Sequence, residues 1–370
     1  MSLTIRGLLV VNLFVGALAF ALTPTACSES EEQTSSTSGS GGGGAGGLGG
    51  GGAGGASNGG GGGGGGTPLP ETGFVLFADQ DLVIPEVAAA GDTVGHAKTS
   101  PTVTLADPTF EIIAGDDAAR FVMGAATGLI TVAEGASFDA ATEATIPLTV
   151  RVGEPGLGSN TAVVTVHVLA AATTVFIDPE NGADTAQDGS IDHPYDSFTD
   201  FSITAGYAYL LKRGTQTNFD GALEIGVSDL LIGAYGSGGR PYFEASSNSH
   251  AIYNWSGPQN VTVRDLEIHS AGDSCVRFGG ATGANETIDN IVCHGPGWGV
   301  RAFTVAGLTI VYSEIYDIRD DGIFTAENTE VEIAFNDIHD VNQNWVEPYT
   351  PETQAGGDAI QFVDNNQWHV

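Results

Sequence analysis

The sequence predicts an all-β protein in which a β-sandwich precedes a parallel β-helix, both following a signal peptide and a disordered glycine-rich tether. Three observations carry that prediction. Between residues 71 and 171, apolar residues alternate along short runs broken by Gly, Asp and Pro, as in "FVLFADQDLVIPEV" and "TAVVTVHVL". From residue 261 onward the apolar anchors recur about every 22–25 residues, a solenoid period. No helix-length apolar run falls between those repeats.

Residues 1–26 open with a lone Arg6, run apolar from Gly7 to Leu22, and reach "TPTAC". The run is shorter than the ~20 residues a membrane-spanning helix needs and reads as a secretory signal. It resembles a bacterial lipoprotein signal, with Ala26 as the small residue before Cys27. That resemblance implies a lipid on Cys27 and anchoring at the outer membrane or cell surface. Ordinary cleavage and free secretion is the alternative. Residues 27–70 are Ser/Glu-rich and then almost pure glycine, a composition that cannot offset its ordering entropy by burial. They form a linker that holds the folded parts away from a surface.

Charge narrows the partners. Lys and Arg number 11 against 45 Asp and Glu, a net −34. Such a chain repels nucleic acid and anionic membranes. It also disfavours an acidic polysaccharide unless cations bridge the two.

Residues 71–171 form the sandwich. "VIPEVAAAGDTVG", "FEIIAGDDAARFVMGAATGLITV", "FDAATEATIPLTVRV" and "AVVTVHVL", in that order and spacing, resemble one cadherin-type repeat. The resemblance implies calcium at the repeat ends, where hard oxygen ligands gather. Glu86 and Asp139 match two acids of that pattern and Asp107 remains of a third motif. Ala141 replaces the next acid, and "AAATT" replaces the acidic linker. A bare spacer with solvated acids is the competing reading.

Residues 174–370 form the β-helix. Stacking "NVTVRDLEIHSAGDSCVRF", "NETIDNIVCHGPGWGVRAF", "GLTIVYSEIYDIRDDGIFT" and "EVEIAFNDIHDVNQ" gives inward columns Val263/Ile288/Ile310/Ile333 and Ile268/Cys293/Ile315/Ile338. A rung of this kind buries its apolar side chains only by stacking on the next. The lead-in, "VFIDPENGADTAQDGSIDHPYDSF", "YLLKRGT" and "LLIGAYGSGGRPYFEA", is similar to the entrance coils of right-handed parallel β-helix proteins such as pectate and alginate lyases. That fold serves lyases, hydrolases, epimerases and binding proteins alike. The sequence stops at "NNQWHV" inside what reads as another rung, so the β-helix is expected to be incomplete at its C-terminal end.

Candidate chemistry arises from the stacking. The turns "AGDSC", "PGWGV", "RDDGI" and "GGDAI" place Asp273, Asp321 and Asp358 in one column interrupted by Trp298. A second outward column holds His269, His294, Tyr316 and His339, beside Ser270, Gly295, Asp317 and Asp340. Asp and Gly at these points are what tight turns require. Carboxylates one rung, ~4.8 Å, apart can equally hold a raised pKa, share a cation or act as a glycosidase pair. Asp317, Asp321, Asp340 and Asp358 are therefore the candidate catalytic acids. A lyase also needs a base and a group to neutralise a uronate. Arg264, Arg277, Arg301, Arg319, Tyr316 and the three histidines are at hand, with His294 and Arg301 the leading candidates. Trp298, His269 and His339, with Trp345 and Tyr349 in the long loop Val341–Gly357, are candidate sugar-binding residues. Cys275 and Cys293 fall in different columns and read as small buried hydrophobes, with a disulfide as the alternative.

Two functions stand open. One is a surface-anchored protein that binds a polysaccharide and cleaves it as a lyase or hydrolase, the sandwich serving as spacer. The other is a non-catalytic, calcium-dependent adhesion or glycan-binding protein.

Overall fold

The computed structural model of the chain describes residues 77–369 except 101–104, 220, 246–249, 271, 281–282, 342–356 and 364–365. The signal peptide, Cys27, the tether, Trp345 and Tyr349 lie outside the described residues.

Among the described residues, seven strands build the sandwich. One sheet runs in the order Gln80–Pro85, Gly158–Leu169, Thr145–Glu154, Thr109–Ala114, and the other in the order Thr93–His96, Leu129–Val132, Phe121–Met123. Only the pairing of Gln80–Pro85 with Gly158–Leu169 is parallel. Thr145–Glu154 shows why the sequence folds this way: Ile146, Leu148, Val150 and Val152 are buried while the residues between them face outward. The period of two puts one face of the strand in the core. Each such side chain contributes roughly 1.5–3 kcal/mol.

The second part is a parallel β-helix of three sheets with, among the described residues, eight, six and six strands. Its first sheet stacks Val263, Ile288, Ile310 and Ile333 in register, and its second stacks Ile268, Cys293, Ile315 and Ile338. Both columns are as predicted. The third sheet adds Ile252, Val276, Val300, Ile323 and Ile360. Left-handed residues turn the chain at its corners. One corner column runs Asp229, Asn260, Asn285, where Asn285 Nδ2 donates to Asn260 Oδ1 (3.0 Å) and Asn260 Nδ2 to Asp229 Oδ1 (2.7 Å). Asx residues tolerate that conformation and bond locally, so the punctuation of the sequence is structural at these positions.

Two expectations need correction. Cys275 and Cys293 are not isolated hydrophobes but a disulfide, with Cα atoms 6.0 Å apart, joining adjacent coils. Columns that differ in sequence meet here because both side chains point into the same narrow core. Arg264 does not serve surface chemistry: it is 1% exposed, at the seam between the two folded parts. Its Nη2 donates to Asp81 O (2.7 Å) and lies 2.9 Å from Asp289 Oδ2, while Nε donates to Asp265 Oδ2 (3.0 Å). An apolar seam of Val83, Leu169, Phe176, Ala208, Leu210 and Tyr235 continues the junction.

Candidate functional site

The third sheet carries the site. Tyr253, Arg277, Arg301 and Phe324 occupy one register column on it. Side chains of one column on parallel strands lie a rung apart, so two guanidinium groups are neighbours although like charges repel. Aromatic rings enclose them. Arg277 Cζ lies 3.1 Å from the Trp255 ring centroid and 4.9 Å from that of Phe303. Arg301 Cζ lies 4.3 Å from Trp298, 5.1 Å from Phe303 and 5.8 Å from Phe324. Trp255 is 53% exposed, so the cluster opens to solvent there.

The two arginines differ in their partners. Arg301 Nη1 donates to Asp273 Oδ2 at 2.9 Å. Arg277 is 7% exposed, and its Nε and Nη1 are buried without a hydrogen-bond partner. Burial, then the charge of Arg301, lowers its pKa to about 10 against the pull of Asp273. A buried guanidinium with unmet donors is costly, which makes it a functional candidate rather than a device for stability.

His250 stands at the edge of this cluster, with Nδ1 2.8 Å from Ser274 Oγ and 3.3 Å from Asp273 Oδ2. Burial lowers its pKa to about 4, so the ring is neutral at pH 7. The three residue types match a nucleophilic triad, but the geometry does not. Hydroxyl and carboxylate meet the same ring nitrogen, whereas a relay needs them on opposite ones. Ser274 is also fully buried.

The predicted acid column is displaced by one residue. Ser274, not Asp273, lies opposite Trp298. Asp273 precedes that position and turns to Arg301 and His250. Asp321 and Asp358 are neighbours, Asp358 N donating to Asp321 Oδ1 (2.8 Å). Asp321 is 2% exposed and its pKa is raised, first by burial and then by Asp358; bonds from the Asp358 amide and the Trp298 side chain oppose this. Asp320 is raised for similar reasons, burial first. The four candidate acids form two pairs. Asp321 and Asp358 lie at the start of the third sheet, near Arg301. Asp317 (φ 52) and Asp340 (φ 50) are left-handed corner residues after the second sheet, with Ile318 N donating to Asp340 O.

His294 lies on that second sheet, away from the third-sheet column of Arg301. There it joins a ladder of rings: His269–His294 tilted at 5.1 Å, then His294–Tyr316 at 5.1 Å and Tyr316–His339 at 5.3 Å, both stacked. Carboxylates flank the ladder. His269 Nδ1 lies 2.8 Å from Glu244 Oε1, His294 Nε2 3.4 Å from Glu267 and His339 Nδ1 2.9 Å from Asp340. The Asp340 bond raises the pKa of His339.

In the sandwich, Glu86 accepts from Ala171 N (2.8 Å) and Ala140 N (3.1 Å), and Asp139 Oδ1 from Ala141 N (3.0 Å). The Asp107 amide donates to Glu154. Among the described residues, no group of three or more His, Cys, Asp or Glu is placed to hold a metal ion.

Sequence reasoning named Arg301 and Trp298, and Arg277 among the available bases, but passed over Tyr253, Trp255, Phe303 and Phe324 as site residues. The signal was present: Tyr253, Arg277, Arg301 and Phe324 recur at the rung spacing, as the inward columns do.

No protein-family model matches the chain, and no curated protein matches it. Solved structures do. Protocadherin gamma B7, extracellular cadherin domains 1–4, is 21% identical over 27% of this chain and 25% of its own, with a TM-score of 0.24. Protocadherin gamma B2, domains 1–5, is 20% identical over 27% and 20%, with a TM-score of 0.24. The human desmocollin-1 ectodomain is 17% identical over 32% and 25%, also at 0.24. The chain spans a quarter or less of these structures' lengths. These neighbours are cadherin ectodomains.

Proposed function

We propose that this is a surface protein that binds an acidic polysaccharide on the third sheet of its β-helix. Arg277 meets the acid group, and the exposed Trp255 gives the sugar ring a flat apolar surface. One observation carries the reading: Arg277 has two buried nitrogens without acceptors, inside an aromatic surround that an anion-bearing ring would complete. The net charge of −34 disfavours acidic glycans for the chain as a whole, and the paired arginines supply a local exception. Export, lipid anchoring through Cys27 and a tethered sandwich as spacer complete the proposal. Calcium has no role in it.

Calorimetry with a polyuronate and its neutral, esterified form tests the reading. The charged polymer should bind at least about tenfold more tightly, unaffected by a chelator. Equal affinity would remove the anion from the account, and loss of binding on chelation would return calcium to it. The same mixtures show whether bonds break, through the ultraviolet absorbance of an unsaturated uronate.

A further inference from the structure

A cleft of about 600 Å³ is lined by residues of both the sandwich and the β-helix, a size typical of small-molecule sites. Four corner residues stack toward it: Asp265, Asn290, Tyr312 and Phe335, all left-handed (φ 59, 57, 53 and 58). Asp and Asn are the ordinary choice at such a corner, whereas bulky aromatics strain there. The chain changes from Asx to aromatic at the two rungs whose side chains line the cleft. The Tyr312 and Phe335 rings stack at 5.0 Å and 6°. Local chemistry that breaks the rule of its own column is a mark of function.

The polar groups of the cleft indicate its ligand. Tyr312 Oη is buried without a hydrogen-bond partner. Glu314 and Asp337 lie directly opposite each other on adjacent strands, an unfavourable arrangement of like charges, with His339 Nε2 3.5 Å from Glu314 Oε1 as their neighbour. His96, Lys98 and Arg240 also line the cleft. Lys98 Nζ donates to Asn290 Oδ1 and Tyr312 O, and Arg240 donates to Asn290, so hydrogen bonds to neutral oxygens hold both side chains in place.

We infer that this cleft binds a small organic ammonium ion, its charge held by Glu314 and Asp337 and its apolar body lying on Phe335 and Tyr312. The inference does not rest on the third-sheet face. Calorimetry on the full chain, with saturation-transfer NMR to locate the contact, tests it using benzylamine, benzyl alcohol and phenylacetate. Benzylamine should bind at least about tenfold more tightly than either analogue. Phe335→Asn, Glu314→Gln and Asp337→Asn should each weaken it about tenfold or more, with Tm unchanged or higher, because strain or repulsion is relieved. No benzylamine binding, equal binding of benzyl alcohol, or tighter binding of phenylacetate would overturn the proposal. So would a Phe335→Asn protein with reduced Tm and intact affinity, which would make the ring a packing residue.

Discussion

Arg277 and Arg301 stand side by side in register on the third sheet, yet only Arg301 has a carboxylate, Asp273, bonded to it. This asymmetry separates the arginine paired within the protein from the one to which the proposed function assigns the ligand.

Arg301→Met should therefore destabilise the protein. It removes the partner of a half-buried Asp273 and exposes His250 to that charge alone. Urea unfolding should show a loss on the order of 1–3 kcal/mol, the cost of leaving such a group unmet. A loss under about 0.5 kcal/mol would mark the ion pair as a solvated surface contact.

Glu286 makes stability depend on pH. It is fully buried in the β-helix, accepts from Asn254 Nδ2 (3.2 and 3.1 Å), and burial raises its pKa to about 8. The folded state therefore holds a proton that the unfolded chain, titrating near 4.5, has lost. Stability should fall as pH rises between these values, by up to about 1.4 kcal/mol per unit. Glu286→Gln should flatten that part of the curve, as read by urea unfolding at intervals from pH 5 to 8. An identical slope in the variant would place the titrating group elsewhere.

The seam between sandwich and β-helix depends on Arg264. Arg264→Met leaves Asp265 and Asp289 buried together without their shared cation. The expected cost is roughly 3–5 kcal/mol. Arg264→Met combined with Asp289→Asn should recover part of it, whereas additive losses would deny that the two side chains interact.

The disulfide spans 18 residues. Closing such a loop in the unfolded chain corresponds to about 3 kcal/mol. Reduction, or Cys275→Ala with Cys293→Ala, should lower the urea midpoint accordingly. An unchanged midpoint would show the two sulfurs to be redundant with the stacking around them.

The fold was legible because its constraints are periodic. Val263 to Ile333 and Ile268 to Ile338 can be aligned by eye, since an inward column admits little but aliphatic residues. The site was harder to read. A turn can shift by one residue without disturbing the columns on either side, and that shift carries Asp273 out of line with Trp298 and into contact with Arg301. The disulfide was obscured for a related reason: a β-helix core is narrow enough that side chains from different columns meet across it. The acids suggested a cleft because Asp is conspicuous in the sequence, whereas Arg277 became conspicuous only once its burial and unpaired nitrogens were known.

Arg277→Met tests the account most directly, because methionine keeps an apolar stem against Trp255 and Phe303 while removing the charge. In calorimetry against a polyuronate, the variant should bind at least about tenfold more weakly than the wild type, with a melting temperature equal or higher because an uncompensated buried cation is gone. Undiminished affinity, or weaker binding accompanied by a collapse in melting temperature, would contradict it.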